Sequence, residues 1–446
     1  MLSLKKLLFA KHLDLLIPSL LLSIASWVRY IGAKSWIIDF NYPPLDLGLV
    51  AIFLFIIGAL WLSIFTYERF KNNTSISIKE SALLLLPLLL SPPSTTNDLQ
   101  VYLYHGQFIN QNLDPYSDIS TELRSTNPYF ERVTDQYKSI KSKYGPLWIG
   151  ISAQIAKLNS DWNIWIFKIL NYLFVLVLLM HVHHYSARNT WLWISTLPAI
   201  EFIGQGHNDL LSIVICYFLL ESKSLNGGLK NGLIALLIPL TKMLYFPFMA
   251  LNLAKLFQAS KKEFSISLSV QILGLAIWYF SHPASLFGSF TTGVSMRPSG
   301  TWADIVYELG KVVYDSNIGF KNISLLFELI GLGIFCLYVY KSYRLGSIKI
   351  ESTLMFGTLV YFSLFIPRLF PWYYAFMVLF FNAFNKKQQG YFFTASFFAV
   401  CQGSTHFLNP STPILPAVII GLSTFLALIY LSLIVRIEYN KPTSPI

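Results

Sequence analysis

The sequence predicts an all-α protein that crosses a lipid bilayer many times. Three observations carry that expectation. Of the 446 residues, 54% are hydrophobic and only 12% charged, where a soluble protein carries roughly 25% charge. Apolar blocks recur along the chain, many long enough to approach the ~20 residues that a helix needs to cross a ~30 Å hydrocarbon layer. Basic residues gather in alternate loops between those blocks, as the positive-inside bias requires. Helices are expected because hydrocarbon leaves each backbone N–H and C=O to be satisfied within its own segment. The alternating pattern of a membrane β-barrel is absent.

Apolar blocks lie near 13–32, 45–67, 81–92, 162–182, 190–203, 209–222, 229–241, 243–257, 265–281, 322–341, 353–366, 371–384, 390–401 and 413–436. Adjacent short blocks can join into one bent helix, so the expectation is a single domain over 1–446 with about 11–14 crossings. Lys5 and Lys6 precede the first block, with no small-residue cleavage site after it, which reads as an uncleaved first helix. Placing that end in the cytoplasm puts Arg69, Lys71 and Lys79, then Arg188, Lys261 and Lys262, then Lys386 and Lys387 on the same side. Both termini are then cytoplasmic in a multi-pass protein of the plasma (inner) membrane. The parity holds only if 147–158 does not cross, so that segment is expected as a helix lying at the outer interface.

The formal charge of +11 would suggest nucleic acid on a soluble protein. Here the basic residues fix orientation, and the lipid bilayer is the expected partner. Cys216, Cys336 and Cys401 all lie in or beside apolar blocks and read as small core residues rather than a disulfide framework. His181, His183 and His184 cluster without a cysteine or carboxylate, so they form no convergent metal-ligand set.

Most of the expected chemistry lies in the first large outer loop and interfacial helices, 93–160. Pro92 and Pro93 stop the preceding helix, and the loop continues as NDLQVYLYHGQFINQNLDPYSD before closing on Lys143-Tyr144-Gly145-Pro146. Asp98 stands at its mouth beside hydrocarbon, where low dielectric can make a carboxylate a general base, although on position alone a helix cap is the better fit. Tyr102 and His105 follow it at i+4 and i+7 on one helical stripe. Asn112 to Tyr116 has the composition of a turn.

Three further groups stand out. Glu201 is followed by Gly206-His207-Asn208-Asp209 between two apolar blocks, where polar groups are costly unless they line an aqueous cavity or cap a helix. Lys242, after Pro239, Leu240 and Thr241, breaks the positive-inside pattern. Arg368 does so within Pro367-Arg368-Leu369-Phe370-Pro371-Trp372-Tyr373. Both cations suit a phosphate; snorkelling towards headgroups is the bland alternative.

These residues together resemble the GT-C type membrane glycosyltransferases, and in particular the bacterial polyprenyl-phosphate-mannose-dependent mannosyltransferases. The matches are Asp98, Tyr102, Tyr104, Gly106, Pro115, Tyr116, Tyr144, Pro146 and Leu147 in the loop, then Gly206 to Asp209, Thr241-Lys242 with Pro247, and Pro371-Trp372-Tyr373. His105 stands where relatives usually carry an acid, Leu113-Asp114 where Ile-Asn is usual, and Gly145-Pro146 in place of Pro-Pro. The resemblance implies a GT-C-like helical bundle that transfers a sugar, mannose or another hexose, from a polyprenyl-phosphate carrier to a glycan or glycolipid on the extracytoplasmic face, with inversion. Asp98 is then the base, and Lys242 and Arg368 bind the donor phosphate, with His207 assisting. Tyr102, His105, Tyr116, Tyr144, His207, Asn208 and Asp209 form the substrate-binding set. No cofactor is identified beyond the lipid-linked donor; no Gly-rich phosphate loop is found, and a divalent-metal requirement stays open. The competing classes are a transporter or lipid-linked-sugar flippase, which predicts repeats and midplane charges, and a polymerase or ligase using a lipid-diphosphate donor.

Overall fold

The computed structural model describes residues 2–33 and 45–282, except 95–96, 134, 159–161, 186–188, 222–226, 243–244 and 246, together with isolated positions between 326 and 400. Every regular element among the described residues is helical. In chain order these are α1 (Leu2–Ala33), α2 (Leu45–Lys71), α3 (Ile78–Leu89), α4 (Asp98–Asn110), α5 (Thr121–Ser125), a 3-10 turn (Phe130–Arg132), α6 (Asp135–Lys138), α7 (Pro146–Ala156), α8 (Asn163–Tyr185), α9 (Thr190–Trp193), α10 (Thr196–Pro198), a π-turn (Ala199–Gly204), α11 (Asp209–Glu221), α12 (Gly228–Thr241), α13 (Pro247–Ala259) and α14 (Lys261–Ser281).

Among the described residues, four stretches are long and apolar enough to cross a membrane: Leu15–Gly32, Leu47–Lys71, Asn163–His184 and Lys261–Ser281. The chain is therefore an all-α membrane protein. Helix α7 has 11 residues, a length of about 16 Å at 1.5 Å per residue, too short to span. The block read as one helix over 190–203 is instead three pieces: α9, α10 and the π-turn. Pro198 has no N–H to offer the preceding turn, which breaks a uniform α-helical ladder there.

The described residues divide into two compact units. The first comprises Met1–Thr96, Lys168–His207 and Phe370–Ile446. Within it α1 packs on both α2 and α3, and α3 on the π-turn. Helix α3 starts at a reciprocal cap, in which the Ser77 hydroxyl accepts from Glu80 N–H and the Glu80 carboxylate accepts from Ser77 N–H. Its far end is held by Lys168, a fully buried residue of α8 whose ammonium donates to the Leu88 carbonyl at 2.9 Å and to that of Ser91. A donor there satisfies carbonyls that the terminated helix leaves without intrahelical partners.

The second unit comprises Asn97–Phe167 and Asn208–Leu369. Helix α4 lies on α7, and α12 on α14, α11 and α7. Both main packings rely on small residues. A side chain at Gly106 would strike the backbone of Ser152 and Ala153 on α7, and one at Gly228 or Gly232 would strike Glu263, Ser267 or Val270 on α14. Gly228 and Gly232 form the small-xxx-small spacing that lets membrane helices approach closely. The Glu263 carboxylate also accepts from Gly228 N–H at the start of α12.

Candidate active site

Helix α4 sets the frame of the site. Asp98 is its first residue, with Asn97 at the cap position but making no side-chain cap bond. The carboxylate at 98 is thus placed in the first turn rather than serving as the cap. One turn on, the Tyr102 hydroxyl donates to Asn208 Oδ1 at 3.1 Å and accepts from Asn208 N–H at 3.2 Å. The Tyr102 ring meets Tyr144, Trp148 and Phe167 edge-on at centroid distances of 4.8, 5.3 and 5.6 Å. Tyr116 donates from its hydroxyl to the Tyr144 carbonyl at 2.8 Å. The turn that carries Tyr116 is closed by Asp114, whose side chain accepts from Tyr116 N–H at 3.0 Å, with Asn112 at φ 58°.

His105 completes the α4 stripe. It is fully buried, with Tyr104 and Tyr144 ring centroids 5.5 and 6.2 Å away. Burial, with Arg124 and Lys143 nearby, pushes its pKa down from 6.5 to about 3, against a smaller opposing effect of the Ile140 backbone. The imidazole is therefore neutral at ordinary pH. Below about pH 6.5 the unfolded chain takes up a proton at this position while the folded one does not. Stability present at neutral pH is thus lost as pH falls from 6.5 towards 3, at roughly 1.4 kcal/mol per unit. Thermal unfolding in detergent at pH 7, 5 and 4 is expected to show that loss, and His105→Gln to remove this group's share of it.

The Arg124 guanidinium fixes the loop over this stripe, donating to the carbonyls of Ile119, Lys138 and Ile140 at 2.8, 2.8 and 3.3 Å. Asn127 adds a bond of 2.9 Å to the Tyr104 carbonyl, and the Tyr104 hydroxyl one of 3.0 Å to that of Lys138.

A buried ion pair stands on the same unit. Lys242, the residue that ends α12, donates to both carboxylate oxygens of Asp209 at 2.8 and 2.7 Å, and the Tyr245 hydroxyl donates to Asp209 Oδ1 at 2.9 Å. One turn along α11, the hydroxyls of Ser212 and Thr241 meet at 2.7 Å. Asp98 lies close enough to Lys242 to act on its charge.

The structure therefore gathers Asp98, Tyr102, His105, Tyr116, Tyr144, Asn208, Asp209 and Lys242 in one unit. His207 belongs to the other unit, where its Nε2 sits 3.3 Å from Glu201 Oε2 with both side chains wholly buried and its carbonyl accepts from Asn171. Arg368 lies outside the described residues. Tyr102, His105, Tyr144 and Asn208 have no exposure, whereas Asp98 and Lys242 keep 5% and 6%. Tyr116 keeps 5% as well, so the whole cluster is buried, with the Asp98 and Lys242 charges set among its aromatic and amide side chains. Tyr245 and Trp148 are members that the sequence pattern did not single out. No group of residues able to hold a metal ion occurs among the described residues, the three histidines of α8 included.

Residues 20–255 match the model of the MptA_B family, described as alpha-(1->6)-mannopyranosyltransferase, N-terminal domain. That stretch is just over half of the 446 residues and contains every described member of the cluster. The chain belongs to this mannosyltransferase family. It is accordingly a glycosyltransferase of the membrane, with a sugar donor and a glycan acceptor as its substrates. No curated protein and no solved structure matches the mannosyltransferase chain.

Proposed function

We propose that this protein is a GT-C type enzyme that moves mannose from a polyprenyl-phosphate carrier to a glycan or glycolipid hydroxyl on the extracytoplasmic face of the plasma membrane, with both termini in the cytoplasm. The observation that carries the reading is the placement in one unit of a buried carboxylate, Asp98, and a buried ammonium, Lys242, within electrostatic range of each other.

The step needs those two charges. Asp98 takes the proton of the acceptor hydroxyl as its oxygen bonds to the anomeric carbon. The bond from that carbon to the phosphate oxygen breaks, and its electron pair stays on the phosphate. The leaving group is already a stable anion, so no general acid is required, in contrast to the two carboxylates of sugar hydrolysis. Lys242 stabilises the charge that builds on that oxygen, with Asp209 and Tyr245 holding its ammonium in place. Arg368 is proposed as a further phosphate contact. Tyr116, Tyr144 and the Tyr102–Asn208 pair shape the sugar side, and the neutral His105 packs behind them. Attack opposite the leaving group inverts the anomeric centre, so a β-linked donor gives an α product, the linkage in the family's description.

The test is a choice of donors offered to purified protein in detergent with a glycan acceptor. Product is expected from polyprenyl-phosphate mannose and none from a nucleotide sugar. Transfer from a lipid diphosphate in preference to the monophosphate favours a polymerase or ligase, and no glycosidic product from any donor leaves the transporter reading.

A further inference from the structure

The segment just before α7 brings a second lysine to the same place. Gly145 N–H donates to the Thr241 carbonyl at 3.0 Å, and a side chain at 145 would run into the Leu240 carbonyl. Only a residue without a Cβ lets this strand of chain lie so close against the end of α12. The consequence is a fixed register: Lys143 and Tyr144 enter beside Thr241, and Lys242 follows it.

Lys143 is itself positioned. Its ammonium stands 5.4 Å from the ring centroids of both Tyr137 and Tyr144, a cation–π arrangement on two faces. It is half-buried and close enough to act electrostatically on Lys242 as well as on His105. Two ammonium groups within mutual reach repel each other, and more strongly in a protein interior than in water. The carboxylate bonded to Lys242, Asp209, already accepts from Tyr245. The anionic phosphodiester of a lipid-linked sugar between the lysines would convert that repulsion into two attractions, and more strongly as the phosphate gains its second charge when the sugar leaves.

We propose that Lys143 is a second cation of the donor site, closing with Lys242 on the phosphate of the lipid-linked sugar. The inference rests on the polyprenyl-phosphate reading above and adds a residue to it.

The test is Lys143→Met in the full chain, which keeps an unbranched stem against Tyr137 and Tyr144 and removes only the charge. With polyprenyl-phosphate mannose as donor, its KM is expected to rise about tenfold, the effect of one charge-assisted contact. Acceptor KM and the thermal unfolding midpoint should stay as in the wild type, and Lys143→Arg should recover most of the loss. Inhibition by polyprenyl phosphate, the product, should weaken in parallel. An unchanged donor KM, or equal rises for donor and acceptor with a lowered midpoint, would mean that Lys143 only pins the loop. Should Lys143→Met fail to fold, the same comparison is made on Lys143→Gln and Lys143→Arg, and equal donor KM for those two overturns the proposal. Asp98→Asn assayed alongside separates the two failures. If it is inactive while Lys143→Met keeps its donor KM, only the second-cation assignment falls; if wild type makes no product from this donor, both fall.

Discussion

Asp98→Asn is expected to lower transfer by about 10²- to 10⁴-fold, the span of a single positioned general base. The amide has nearly the same shape as the carboxylate but accepts no proton. Asp98 also opens α4, and a negative charge in a helix's first turn is worth roughly 0.3–1 kcal/mol. The rate loss corresponds to about 3–5 kcal/mol, so the two effects separate cleanly. The unfolding midpoint should barely move while turnover all but stops, and donor binding, which does not use this carboxylate, should remain. A variant with near-native transfer would remove Asp98 from the chemistry.

The second large effect is expected at Lys242. Lys242→Met leaves the Asp209 carboxylate wholly buried with, among the described residues, the Tyr245 hydroxyl bonded to it. Breaking a buried pair from one side costs roughly 3–5 kcal/mol, because the remaining charge stays desolvated. Both stability and donor use should therefore fall. Adding Asp209→Asn should restore much of the stability, since a neutral amide tolerates burial better, without restoring transfer. That double variant distinguishes a lysine needed for phosphate from one needed only to neutralise Asp209. Full recovery of activity in the double variant would assign the pair a structural role alone.

Much of this arrangement is legible in the sequence where the determinants are local. The helix from Asp98 with Tyr102 and His105 on one stripe follows from spacing, the Asn112–Tyr116 turn from composition, and the start of α7 from Pro146, which suits the first turn of a helix. The spans at 15–32, 47–71, 163–184 and 261–281 follow from hydropathy. What hydropathy misses is interruption and pairing. The apolar run over 190–203 looks continuous because apolar character persists across Pro198, although the backbone changes there to a π-turn that carries Glu201. Lys168 disappears within the fourth block, yet its charge is explained by the Leu88 and Ser91 carbonyls some 80 positions earlier. Asp209 and Lys242 each stand out, but nothing local joins residues 33 positions apart. Tyr245 carries no signal until Asp209 is seen beside it. Gly145 reads as a departure from the relatives' Pro-Pro, and its reason, the Leu240 carbonyl, is visible only in three dimensions.

Transfer from a lipid carrier at the outer face requires the loop that carries Asp98 to face away from the cytoplasm. The most direct measurement is labelling of Asp118→Cys, a position in that loop whose side chain is 90% exposed, by a membrane-impermeant maleimide on intact cells. Labelling above the wild-type background before permeabilisation is the expected result. Labelling that appears only once the membrane is opened would place the carboxylate on the cytoplasmic side and contradict transfer from a lipid carrier at the outer face.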